Sequence, residues 1–133
     1  MSSLVGTIKQ IKSCDSLHII DFELNDELLS MMSLDIDESL EVGSKVKLSF
    51  KPTHVAIGKA FEGLVSYSNQ LRATIVRIEN GELLTKIKLQ FFDSFLESII
   101  TYESSKRMDL KIGDEVIAFI KASEISIDEV LDD

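Results

Sequence analysis

Two short elements of the chain carry residues of the kind that hold a small anion. Lys51-Pro52-Thr53 and Lys121-Ala122-Ser123 each follow an apolar run, and each precedes a β-branched residue, Val55 or Ile125. In an extended chain, residues two apart point to the same side. The ammonium and the hydroxyl of each element are therefore expected on one face, with a proline or alanine between them that leaves the backbone open to close approach. An ammonium, a hydroxyl and neighbouring amides make a half-shell for an oxyanion. A third polar cluster, Ser66-Tyr67-Ser68-Asn69-Gln70, adds hydroxyl and amide donors with no carboxylate. Taken singly, a Lys-x-hydroxyl triplet is a weak signal, because a solvated lysine and a turn hydroxyl at a strand end give the same pattern. Its recurrence is the stronger fact. A hydrophobic core accounts for recurring apolar residues, and not for a recurring Lys-x-hydroxyl.

Other chemistry is not indicated. The chain holds no nucleophile elbow, P-loop, dinucleotide fingerprint, HExxH or CxxC. Its carboxylates fall in runs such as Asp35-Ile36-Asp37-Glu38 and Asp128-Glu129, the pattern of a wet surface. Nothing pairs a base with a nucleophile, so no enzyme is expected. The single cysteine, Cys14, lies in a polar turn and cannot form an internal disulfide. His18 and His54 are far apart, have strand-like neighbours, and read as structural or surface residues; Met31-Met32 reads as core filling. The net charge of −9, spread over both halves, repels a phosphate backbone and argues against nucleic acid as a partner. An OB-type nucleic-acid binder would also need exposed aromatics in a basic groove. Acidity does not exclude a small anion, which amides and hydroxyls can enclose locally. No apolar run approaches the ~20 residues that span a bilayer. The N-terminus lacks the basic-then-apolar pattern of a signal peptide. The expectation is a soluble cytoplasmic protein with no membrane contact.

The elements that must position these residues come in two copies. Leu4 to Ile11 matches Leu71 to Ile78 at an offset of 67, with four of eight positions identical. Val42 to Ile57 matches Ile112 to Ile127 at an offset of 70, so the second copy has gained three residues in between. The chain is thus a tandem repeat, divided into a first unit at 1–58, a second at 66–128 and an acidic tail at 129–133. In the second copy, Asn80-Gly81 between apolar runs signals a hairpin, because both residues tolerate φ > 0. Ile87, Leu89 and Phe91 then alternate with Lys86, Lys88 and Gln90, a half-buried strand. Residues 95–101 form another strand, and Thr101 caps a short helix through about Met108. A turn at 111–114 and strands at 116–120 and 125–127 finish the unit. The first copy follows with strands at 17–24, 46–50 and 55–57, and a helical or irregular stretch at 26–40. The junction at 58–65 is too short and apolar to be a free linker. Five short strands and one small helix in roughly 60 residues suit an OB-like barrel. A barrel of that size is marginal alone. The expected fold is therefore mainly β, with two tandem OB-like small barrels that share strands or a buried interface.

At these residues the chain resembles the Mop/TOBE family of molybdate-binding domains. The stretch from Ser98 to Ser123 is similar to the family's most recognisable segment. Ser66 to Leu71 resembles its opening motif, usually Ser-Ala-Arg-Asn-Gln-Leu. The resemblance implies MOP-like barrels that bind molybdate or tungstate through Ser66, Asn69, Lys121, Ala122 and Ser123, with Lys51 and Thr53 from the first copy. It also implies sites formed where the Lys-Ala-Ser element of one unit meets the opening motif of another, in a homo-oligomer for which a trimer is favoured over a dimer. Three departures stand against it: Ser68 replaces the family's arginine, the first copy has no opening motif, and the cap at Thr101 has no counterpart there. The function implied is storage, homeostasis or sensing of the oxyanion. The alternative is a ligand-poor interaction module related to transporter or regulator effector domains.

Overall fold

The computed structural model of the chain describes residues 2–131. Its elements in order are β1 (Ser2–Cys14), β2 (Leu17–Leu24), β3 (Glu27–Ser33), β4 (Lys45–Phe50), a 3-10 turn (Pro52–His54), β5 (Ala56–Lys59), β6 (Asn69–Asn80), β7 (Leu84–Phe91), β8 (Ser94–Thr101), α1 (Tyr102–Arg107), β9 (Glu115–Ile120), a second 3-10 turn (Ala122–Glu124) and β10 (Ser126–Leu131). These make two five-stranded antiparallel sheets, in the orders β10-β4-β1-β2-β3 and β5-β9-β6-β7-β8. The fold is mainly β, with curled sheets of the OB type. No helix among the described residues is long and apolar enough to cross a membrane.

The sheets do not coincide with the two sequence units. The last strand of each unit leaves it and pairs in the other sheet. β5 lies on β9, with Ala56 opposite Phe119, while β10 lies on β4, with Ser126 opposite Ser49. These contacts are equivalent under the repeat, so the two halves are related by a pseudo-twofold axis. The sharing foreseen from the small size of each barrel thus takes the form of reciprocal strand exchange. Alternation buries one face of each sheet in a common core: Ile20, Phe22 and Leu48 from one half, Ile87, Leu89 and Leu96 from the other. β10 runs to Leu131, into the stretch read as an acidic tail; Asp132 and Asp133 lie outside the described residues.

Within each half one local device sets the curl. The β1–β2 register shifts between Ile8 and Gln10, and the β6–β7 register shifts at the equivalent place, between Ile75 and Arg77. A bulge of this kind adds twist and lets a short sheet close on itself. At both places the backbone is held by the glycine turn before the next strand. Gly43 N–H donates to Ile8 O at 2.8 Å and Gly113 N–H to Ile75 O at 2.8 Å. Gly43 and Gly113 have φ near +97° and +96°, a region that side chains with a Cβ rarely enter. Asp114 closes the second of these turns by accepting from Lys111 N–H at 2.9 Å. It also pairs with Lys59, at the end of the exchanged strand β5, at 3.0 Å.

Two expectations for the first half are corrected. Residues 27–33 are a strand and not helical or irregular backbone. The hairpin that creates it turns at Asn25-Asp26, both with positive φ (47° and 67°), which is the backbone that a two-residue primed turn requires. The α-helix is confined to the second half, where Thr101 Oγ1 accepts from Ser104 N–H at 3.1 Å. The first-half counterpart is a run of bends and turns three residues shorter. The Asn80-Gly81 hairpin forms, by a longer loop: neither residue has positive φ, and Gly81 N–H closes the loop on Leu84 O at 2.8 Å.

One polar side chain ties the two sheets together. Asn69, fully buried at the start of β6, accepts from Ser30 N–H at 2.7 Å and donates to Ser30 O and Ile120 O, both at 3.0 Å. Its amide stands in for a strand residue along the edge of β3. Removing it leaves buried backbone groups without partners, at about 1 kcal/mol for each bond lost. Asn69→Ala is therefore expected to lower the unfolding free energy of the ligand-free protein by about 3 kcal/mol, read by urea denaturation. The pH dependence follows from Asp114. Its carboxyl is held below the usual range, first by the Lys111 backbone N–H and then by Lys59. A depressed folded value means the stabilisation is present above the ordinary carboxylate range and lost as pH falls through the folded value. Asp114→Asn should remove that part of the acid sensitivity and speed amide exchange along β5 at neutral pH.

Candidate oxyanion site

The two Lys-x-hydroxyl elements lie on the 3-10 turns that launch the exchanged strands. Pro52 suits the first position of such a turn, since its missing N–H is not needed there and its φ is preset. His54 N–H returns to Lys51 O and Glu124 N–H to Lys121 O, both at 2.9 Å. The strand-end geometry assumed from sequence is thus corrected. A turn with three residues per repeat does not place positions two apart on one side. Lys121 and Ser123 consequently line different concavities.

Strand exchange produces a different grouping. The turn of the first half packs on β8 of the second sheet, and the turn of the second half packs on β3 of the first. Thr53 from one half and Lys121 from the other line one concavity, floored by Ile99 and Ile100 and edged by Tyr67. Both Thr53 and Lys121 are exposed and able to turn toward a ligand. Two further side chains complete the rim. His54 Nδ1 and Glu124 Oε2 lie 2.8 Å apart and tie the two turns to each other. Positions 54 and 124 are equivalent in the repeat, so this contact sits across the pseudo-twofold axis. Tyr67 is held from behind by Phe119, with ring centroids 5.3 Å apart, and Phe119 also takes the edge of Phe61 at 5.3 Å. The opening segment is thereby anchored against the second sheet, and Gln70 Nε2 fastens it further by donating to Tyr67 O at 3.0 Å.

The remaining residues singled out from sequence fall as follows. Asn69 is corrected: both side-chain amide N–H groups are donated to backbone carbonyls and the side chain is sealed in the core, so it positions the opening segment and has no side-chain donor left for a ligand. Ser66 is exposed, one residue before Tyr67; Ala122 is half-buried in its turn; Lys51 is exposed outside the concavity. Ser123 lines the counterpart of the Thr53–Lys121 concavity in the other sheet. That counterpart is edged by Asp35, Asp37, Asp128 and Glu129 with no basic residue, and it suits no dianion. Sequence reasoning missed His54, Tyr67 and Glu124. The signal for the first and third was available: they occupy the same place in the repeat, beside the elements already singled out.

Comparison with known proteins bears on the fold and the family. The TOBE domain model matches residues 66–127. The Molybdate/tungstate import ATP-binding protein WtpC of Pyrococcus horikoshii is 31% identical over 111 residues, which is 83% of this chain and 32% of that protein. The chain thus spans about a third of that relative. Among solved structures, the cytoplasmic molybdate-binding protein ModG, in a crystal form with molybdate bound, superposes with a TM-score of 0.83 at 24% identity, covering 93% of this chain and 92% of its own. A molybdate-binding protein from Sporomusa ovata aligns over 50% of this chain and 100% of its own, with 33% identity and a TM-score of 0.49. The ModG likeness extends over both halves and shows a shared tandem fold. Residues 66–127 are thus similar to the TOBE domain family, and the tandem fold of the whole chain is similar to that of ModG.

Proposed function

We propose that this protein reversibly binds molybdate or tungstate, as a cytoplasmic store or sensor of the anion, and carries out no bond chemistry. The observation that carries the reading is the meeting of Lys121 and Thr53, from opposite halves, in one concavity beside the opening segment. An ammonium and a hydroxyl at that place supply one charge-assisted and one neutral hydrogen bond to a tetrahedral dianion. The molybdate- and tungstate-related names of the relatives support the choice of anion. Ser66 and Ala122 belong to the same proposal, through the exposed opening segment and the backbone of the second turn, with Lys51 and Ser123 as outlying donors.

The concavity is open on one side, and Lys121 and Thr53 form only part of a shell. We propose that a second copy closes it with its own Ser66 segment, in a homotrimer ahead of a dimer. A ligand that bridges subunits stabilises their assembly by mass action.

A second reading is favoured by two observations. The Glu124 carboxylate sits on the rim, and Ser68 stands where the family has arginine. Both weaken an anion site and fit a ligand-poor interaction module of the kind attached to transporter ATPases. Calorimetric titration with molybdate, tungstate, sulfate and phosphate decides between the two. The first reading expects molybdate and tungstate to bind alike and to survive excess sulfate. Competition by sulfate at equal concentration would reduce the site to a generic anion nest, and no heat with any anion would leave the interaction module.

Two variants test the residues. A charge-assisted bond to an anion contributes roughly 1.5–3 kcal/mol, so Lys121→Ala should weaken binding about tenfold or more, with the thermal midpoint of the ligand-free protein nearly unchanged. Thr53→Ala should do less. Loss of stability equal to the loss of binding would give the lysine a structural role. Light scattering at low micromolar protein, with and without molybdate, tests the assembly: a persistent monomer near 15 kDa that still binds tightly would place the whole shell within one chain.

A further inference from the structure

The two sheets are equivalent in strand order, yet their seams differ. In the second sheet, β5 leans against β8 across the seam. In the first, β3 and β10 are the two edge strands and stand apart. The cleft between them encloses about 730 Å³, against about 320 Å³ for its counterpart at Lys121. Its floor is apolar, from Met31, Ile36, Leu40, Ile125 and Ile127, and its rim carries Asp35, Asp37, Asp128 and Glu129, of which Asp128 pairs with Lys47 at 3.7 Å. Leu34 and Val130 at the mouth are 72% and 41% exposed.

The β3 edge carries hydrogen-bonding groups toward this cleft. Ser30 turns its N–H and C=O outward, since both are taken by Asn69. In a strand, alternate residues face the same edge, so Met32, two residues on and beyond the reach of Asn69, directs its own N–H and C=O into the seam. An unpaired edge above an apolar floor is a template for an added strand, with side-chain specificity set at alternate positions. The acidic rim fixes the charge of what fits.

We infer that the β3–β10 cleft is a docking site for an extended segment of a partner protein, in which apolar residues alternate with lysine or arginine. The apolar side chains of that segment enter the floor while its cations meet the rim carboxylates and its backbone pairs with β3 at Met32. The cleft shares no lining residue with the Lys121 concavity; of the outlying donors named above only Ser123 lines it, and neither variant below alters Ser123.

Fluorescence anisotropy with a labelled, alternating Lys-Val hexapeptide and the full chain tests it. Saturable binding is expected, weakened about tenfold (about 1.4 kcal/mol) in L34K and again in V130K. A peptide in which proline replaces the valines cannot pair along the edge and should not bind. Titration with molybdate should be unaltered in both variants, whether or not the anion binds. Equal binding of the Glu-Val counterpart, unchanged binding in both variants, or no binding of the Lys-Val peptide would overturn the inference. So would a fall in molar mass of the peptide-free protein on L34K or V130K, since the cleft would then be an interface between copies of this chain.

Discussion

The structure depends on the reciprocal exchange of one strand. Each half of the chain makes four strands of a five-strand sheet and takes the fifth from the other half. Neither barrel is complete without the pairing of β5 with β9 and of β10 with β4. A unit of about sixty residues buries too little surface to be comfortably stable alone, and exchange gives the pair one continuous core. The 3-10 turns exist because the chain must change sheets at those points. The Lys-x-hydroxyl residues ride on these turns, so the device that completes the fold also brings residues from opposite halves to a common place.

Much of this was legible in the residues, and the failures have physical causes. Strands such as β7 announced themselves because one face is core and the other water, and the alternation of Ile87, Leu89 and Phe91 with polar neighbours records it. The repeat was legible because Gly43 and Gly113 answer a backbone demand that few residues can meet. β3 was not, because its turn, Asn25-Asp26, lacks the glycine that usually marks a primed hairpin. For the candidate site, the residue types stood out in the sequence, while the geometry assumed for them does not hold. Lys121 and Ser123 were assigned one face on the assumption of extended chain, and a three-residue helical turn separates them. Asn69 was read as a ligand group because its type suits one, whereas its partners, Ser30 and Ile120, are distant in sequence and invisible without the fold.

The net charge of −9 also takes on a local meaning. Around the Lys121 concavity, the carboxylate that comes nearest, Glu124, is engaged by His54 at 2.8 Å, while most of the acidic residues lie elsewhere. Around the equivalent place in the first sheet four carboxylates gather, and among the described residues only Asp128 has a cation beside it, Lys47 at 3.7 Å. Duplication supplied two equivalent positions, and charge now distinguishes them: Lys121 lines one, and the other is lined by Asp35, Asp37, Asp128 and Glu129. The three residues that the second copy has gained, with the helix α1 that only this half forms, belong to the same divergence.

The contact between His54 and Glu124 bears on the ancestry of the fused chain. Equivalent positions that touch across a twofold axis must, in a true homodimer of single units, present the same residue to itself. Two histidines there would repel when charged, and two glutamates would repel at neutral pH. A complementary pair at such a position can arise only after the copies have been joined or otherwise made distinct. It then acts as a heterodimer lock: it rewards first half with second half and penalises either half with its own twin. A gene encoding only one half would find its partner surface mismatched at the axis, and so the fusion, once the pair had formed, could no longer be undone by a single loss.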